Sequence, residues 1–344
     1  MAKARTEKYR EAGLARLSET ELLRLRFRDL QLPRTTGMVA GHMQRLYAEL
    51  QSRGIGFRPH FWFAEEWFSP DGVPGIALPF YLAQPRLMRL ERRLMHQVEG
   101  GSSRWLMRIL RHEAGHALDT AYQLRQRADW RGVFGSAREA YPDTYTPRPA
   151  SRRYVLHLGH WYAQSHPTED FAETFAVWLQ PRSRWRRDYA GWPAVHKLEY
   201  VDELMREIAC RDARVRTRRT IEAVDNSRRT LAEHYRRKVD RYTLEDGRYD
   251  EALRRIFTLQ PQRRRDAAAA FLREIRPQIE RLLVRRARLH RYVVGHVLDL
   301  LVHRCSYMHL HLRHDRRSAK RAFLRLVQRI VLGILKRNRE NYAL

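Results

Sequence analysis

Cysteine is nearly missing from this chain. Cys210 and Cys305 are the two among 344 residues. That is too few for a disulfide framework, and their spacing fits no zinc ribbon. Such usage suits a reducing compartment, so the expected location is cytoplasmic. Long apolar runs are also lacking. The richest stretch, Leu282 to Val302, is broken by Arg285, Arg286, Arg288 and Arg291, and no membrane span is expected. The opening MAKARTEKYREAG has no apolar centre of a secretory signal. Negative charge is the third shortage: 39 Asp and Glu stand against 67 Lys and Arg, for a net charge of +28.

What is present is enough apolar material, 43% of residues, to build a sizeable core, which excludes wholesale disorder. The basic excess is uneven. Residues 281–344 hold 16 Lys and Arg and 3 Asp and Glu. A field of that sign attracts nucleic acid or acidic proteins, although an arginine-rich helical bundle with solvated side chains has the same composition.

The chemistry is concentrated in Trp105–Asp119, which contains His112-Glu113-Ala114-Gly115-His116. On a helix, residues four apart share a face. His112 and His116 can therefore turn two imidazoles toward one metal ion. Glu113 stands about 100° round the axis, where a general base for metal-activated water belongs. Leu106, Leu110, Ala114, Ala117 and Ala121 make an apolar stripe, with Trp105 and Ile109 near the histidines. The pattern predicts a buried helix, in which two imidazoles and a carboxylate need a partner. Gly115, costly in a helix interior by about 1 kcal/mol, predicts the close passage of another backbone.

Around this helix the pattern is mixed. Ser18-Glu19-Thr20-Glu21 reads as a capping box opening a helix toward Leu30, and a second helix is expected over 37–52. Residues 57–63 and 75–83 read as strands. Pro79 makes the second an edge strand, of the kind to which an extended peptide can add. Residues 126–153 are loop-rich and suggest a lid. Pro167 opens a helix whose Phe171, Phe175, Trp178 and Leu179 face a core. Its Glu169 and Glu173 lie one turn apart, flanked by the small Ala172 and Ala176. After about residue 211 the chain reads as helices over 217–242, 249–258, 265–306 and 316–339. The reading is thus α+β: N-terminal helices (1–54) packed on a catalytic domain (55–210), followed by an all-α basic bundle (211–344).

A catalytic zinc site takes three protein ligands and keeps one position open. Glu169 is the favoured third ligand beside His112 and His116, with Glu173 orienting a ligand histidine through its far nitrogen. Glu173 itself, Asp170, His157, His160 and His166 are the alternatives. The metal would be Zn2+, with Glu113 taking the proton of its water.

Arg-His-Glu-Ala-Gly-His-Ala-Leu-Asp (111–119), followed some fifty residues later by HPTEDFAETFAVWL (166–179), resembles the zinc-binding metallopeptidases of the gluzincin type. WYAQSHP, YAGWPAVHKLEYVDELM and the 83–123 block add to the likeness, which covers about residues 55–210. The resemblance implies a zincin fold, with a small mixed sheet over the HEAGH helix. It implies a peptide or protein substrate, Glu169 as the zinc ligand, and Tyr162, seven residues earlier, as the donor to the oxyanion. The rival expectation is a nucleic-acid-binding or scaffold protein with a structural zinc site, working through the basic region 211–344.

Overall fold

The computed structural model describes residues 13–32, 37–95, 98–141, 148, 151–158, 161–209, 211–242, 249–260, 267–287 and 291–337. Two compact units divide them. The first takes the chain up to Leu90 and Val98–Ala232; the second takes the chain from Glu91 to Met95 and from Glu233 onward.

In the first unit the elements run α1 (Glu19–Arg24), α2 (Gly37–Ser52), β1 (His60–Ala64), β2 (Gly75–Pro79), the start of α3 (Pro85–Met95), α4 (Ser103–Tyr122), α5 (Ala128–Phe134), α6 (Pro167–Leu179), the short α7 (Trp185–Asp188) and α8 (Ala194–Ile208). The capping box at α1 is complete: Ser18 Oγ accepts from Glu21 N, and the Glu21 carboxylate accepts from Ser18 N at 2.9 Å. The unit's centre is α4 packed against α6. Ser102 caps the start of α4, and Gln123 ends it in the left-handed region with φ 57°. Gly115 lies where α6 crosses. A Cβ built there would stand 3.0 Å from Ala172 Cα and 3.2 Å from the Phe175 ring. The small residues of the two helices let their backbones approach, and Phe171, Phe175, Trp178 and Leu179 fill the core beside them.

The sheet differs from the expected free edge. β1 and β2 are parallel, with Trp62 opposite Ala77, and β2 lies against α4. β2 ends at Pro79, and 80–83 form a 3-10 turn instead, so the proline sits where no further ladder donor is required. The other side of β2 is taken at Ala77. The chain turns back after β1, and Phe68 N and Ala77 N each donate to the other residue's carbonyl, at 3.4 and 2.9 Å. A peptide adding to β2 at that point would meet Phe68.

The stretch after Arg211 also differs from the expected helix over 217–242. It is non-helical apart from a 3-10 turn at Val224–Asn226 until Leu231, where α9 (Leu231–Tyr242) begins. Arg214 N and Val215 N donate to Ala121 O, Trp62 Nε1 donates to Ile221 O at 2.8 Å, and Phe27 N donates to Arg229 O. Its backbone bonds are thus spent on the first unit, which is why the division falls at Ala232 and not near Arg211.

The second unit holds the rest of α3 and α9, then α10 (Asp250–Ile256), β3 (Phe257–Thr258), α11 (Ala268–Ala287), α12 (Arg291–Tyr307), β4 (His311–Leu312) and α13 (Arg316–Arg337). Phe257 pairs antiparallel with Leu312. Its core is apolar: Leu253, Phe257, Ile279, Val297, Leu301, Phe323 and Val327 are all buried. Among the described residues no helix is long and apolar enough to cross a membrane.

Candidate metal centre

Two helices distant in sequence supply the cluster. The turn of α4 carrying His112, Glu113 and His116 is buried, as is the first turn of α6 carrying Glu169. Glu169 Oε2 lies 3.0 Å from His112 Nε2 and 3.2 Å from His116 Nε2, and the two nitrogens are 3.1 Å apart. A tetrahedral zinc ion bound at roughly 2.0–2.1 Å by each donor separates those donors by about 3.3 Å. Three soft-to-hard donors of this kind, converging from buried positions at nearly that spacing, fit a divalent cation.

Two of the three candidate ligands, His112 and Glu169, are oriented from behind. Glu173, one turn along α6 from Glu169, places Oε1 3.0 Å from His112 Nδ1, while its Oε2 accepts from Leu158 N at 2.7 Å. A carboxylate only accepts, so Nδ1 of His112 carries a proton toward Glu173, and Nε2 is the nitrogen left to serve a metal. Glu169 Oε1, turned away from the histidines, accepts from the Tyr141 hydroxyl at 2.8 Å.

The electrostatics of the metal-free centre follow from this crowding. Burial pushes His112 down, but hydrogen bonds and charge from Glu169 and Glu173 outweigh it and hold the imidazole well above its ordinary value. Burial pushes Glu169 up, and the two histidines more than reverse it, leaving the carboxyl well below the usual range. Desolvation, with Glu169 and Glu113 nearby, drives the Tyr162 phenol well above its ordinary value, so it stays a neutral donor. The Tyr162 ring lies 5.6 Å from that of His112. It follows Trp161, whose φ of 54° turns the chain immediately before it. No described residue hydrogen-bonds the Tyr162 hydroxyl.

Glu113 is held by Ser69, whose Oγ donates to Oε2 at 2.9 Å. Ser69 begins the turn Ser69–Gly72. That turn is anchored to the end of α4 by Arg125, which bonds Asp71 Oδ1 at 2.7 Å and Asp119 Oδ2 at 2.5 Å.

The alternative ligands are employed elsewhere. Asp170 pairs with Lys197, and burial, only partly opposed by that lysine, pushes its carboxyl up to about 7. His157 Nε2 bonds Arg108 O at 2.9 Å, and burial lowers its pKa to about 4. His166 caps α6 and bonds Glu139 O at 3.0 Å. His160 lies outside the described residues. Nothing in the sequence marks Tyr141, in the loop-rich 126–153, or Ser69, in a turn, as a site residue. Each stands in a loop, where no periodicity aims a side chain. A cavity of about 530 Å3 lined by Arg58, Arg211, Arg216, Arg218, Phe57 and Tyr122 opens by the far end of α4, and no cluster residue lines it.

Residues 89–186 match the sequence model of a family described as "Putative zinc-binding metallo-peptidase". That span contains His112, Glu113, His116 and Glu169. It supports a metallopeptidase at a coarse level, and the family is described as zinc-binding. No curated protein and no solved structure matches the chain.

Proposed function

We propose that the first unit is a zinc-dependent metallopeptidase of the gluzincin type, with a zincin-like arrangement of β1, β2 and α4 around the centre. The observation that carries this reading is Glu169 Oε2 set beside both Nε2 atoms of His112 and His116. These three residues hold the metal. Zinc, when bound, supplies Lewis acidity toward a peptide carbonyl and brings the pKa of water near 7.

The remaining steps belong to side chains. Glu113, fixed by Ser69, accepts the proton of the attacking water and passes it to the leaving amine. Tyr162 donates its phenolic proton in a hydrogen bond to the oxyanion of the tetrahedral intermediate. Glu173 keeps His112 in the tautomer that leaves Nε2 free. The substrate is a peptide or an unfolded protein segment. An extended chain lying along β2 would have to displace Phe68 from Ala77.

Glu113→Gln tests the mechanism. Purified variant is expected to keep one zinc per chain by elemental analysis. Its cleavage of a mixture of unstructured peptides, read by mass spectrometry, is expected to fall by about 10²–10⁴. Undiminished cleavage would remove Glu113 from the chemistry.

A further inference from the structure

Glu169 has two oxygens, and a carboxylate free to rotate can offer a metal one or both. Offering both would fill a coordination position that a hydrolytic centre must keep open. In this protein the second oxygen is taken. Tyr141 donates its hydroxyl proton to Oε1 at 2.8 Å, while Oε2 faces the histidines. The phenol oxygen is also in hydrogen-bond contact with Thr168 Oγ1. Since the carboxylate only accepts, the tyrosine proton points to Glu169, while the Thr168 hydroxyl lies within hydrogen-bond reach of both the phenol oxygen and His166 Nδ1.

The ring that carries this hydroxyl is not core. Tyr141 is 50% exposed and comes from the loop beyond α5 and Gly135. It is held by stacking on the His166 imidazole, with centroids 3.9 Å apart and planes within 16°. His166 is itself fixed by Thr168 N on one side and Glu139 O on the other. A half-exposed loop tyrosine, clamped so that its one donor meets the outward oxygen of a ligand carboxylate, does little for packing and much for the direction of that carboxylate.

We propose that Tyr141 is a positioning residue that restricts Glu169 to binding the metal through Oε2 alone, keeping a position open for water. The inference rests on the reading of His112, His116 and Glu169 as a metal site. It assigns to the loop before α6 a part in setting the coordination number.

Tyr141→Phe removes the hydroxyl and keeps the ring that stacks on His166. With cobalt(II) in place of zinc, the wild-type protein is expected to show the intense visible bands of a four-coordinate ion. The variant is expected to show the weaker bands of higher coordination. Zinc affinity, by competition with a chromophoric chelator, is expected to fall 10–100-fold, and kcat is expected to fall with KM little changed. Tyr47→Phe is the control. It removes a tyrosine hydroxyl bonded to Pro59 O at 2.8 Å, away from the centre, and is expected to leave spectrum and affinity unchanged. A Tyr141→Phe spectrum and zinc affinity equal to wild type would overturn the role of Tyr141 while leaving the metal site standing. A wild-type protein that takes up neither cobalt nor zinc would overturn the site and the inference together.

Discussion

The two units solve the problem of burial in opposite ways. Among the described residues, the second unit buries two polar side chains, Glu91 and His234, and closes its core with aliphatic and aromatic groups. Arg255 and Arg316 of this unit lie outward, 75% and 52% exposed even where they form ion pairs, while Arg304 and Arg276 are drawn inward by Asp250 and Asp299. The first unit buries the other polar side chains, and most of them stand on α4 and α6. Each costs free energy unless it is paired. A chain selected for stability alone has no reason to place Arg111, His112, Glu113 and His116 in adjacent turns of an enclosed helix. The contrast marks where chemistry has been accepted at the expense of stability, and where it has not.

The comparison breaks most easily at Arg111. Its guanidinium makes two bonds to Glu49, at 2.7 and 2.8 Å, with both side chains 6% exposed. Arg111→Met leaves the buried Glu49 carboxylate with the half-exposed Arg45 alone, at 3.2 Å, and is expected to cost about 3 kcal/mol in urea unfolding. Combining it with Glu49→Leu is expected to recover most of that loss. A single variant as stable as wild type would mean that the buried charges of the first unit carry no penalty. In the second unit the sensitive change is apolar. Leu301→Ala is expected to cost about 2–5 kcal/mol, with hydrogen-exchange protection lost in that unit and zinc content unchanged. A fall in zinc content would show that the apolar bundle supports the centre.

The smallest effect concerns pH. In the metal-free protein the raised pKa of His112 contributes stability that is present below the ordinary histidine value of 6.5 and is lost as pH rises through the raised value. The depressed pKa of Glu169 contributes stability that is present above 4.5 and is lost as pH falls through the lowered value. The pair therefore holds the metal-free centre together between these limits, and zinc must displace the His112 proton. Zinc affinity is expected to drop as pH is lowered from 8 to 6, by up to about tenfold per unit for one proton. An affinity flat across that range would mean that His112 is already neutral without metal.

Much of the centre was legible because helices repeat. A spacing of four set His112 with His116, and Glu169 with Glu173, and Gly115 announced a close neighbour that proved to be Ala172. The strands near 60 and 75 were legible from their aromatic and aliphatic runs. Their parallel pairing, and the return of Phe68 to Ala77, were not. The arginine-rich stretch 214–230 had the composition of a helix yet forms no α-helix, because its backbone groups find partners on β1, α4 and the N-terminal segment. Charge alone suggested nucleic acid as a partner, and nothing among the described residues of the second unit adds to it.

The sequence by itself determined which donors a metal could meet and which carboxylate could take a proton, since a helix translates local spacing into direction. Only the tertiary structure decided that Tyr141 would hold the outer oxygen of Glu169 and that Ser69 would hold Glu113. Both arrive on loops, and a loop side chain is aimed by the distant surfaces that pin its backbone, not by the order of its own residues.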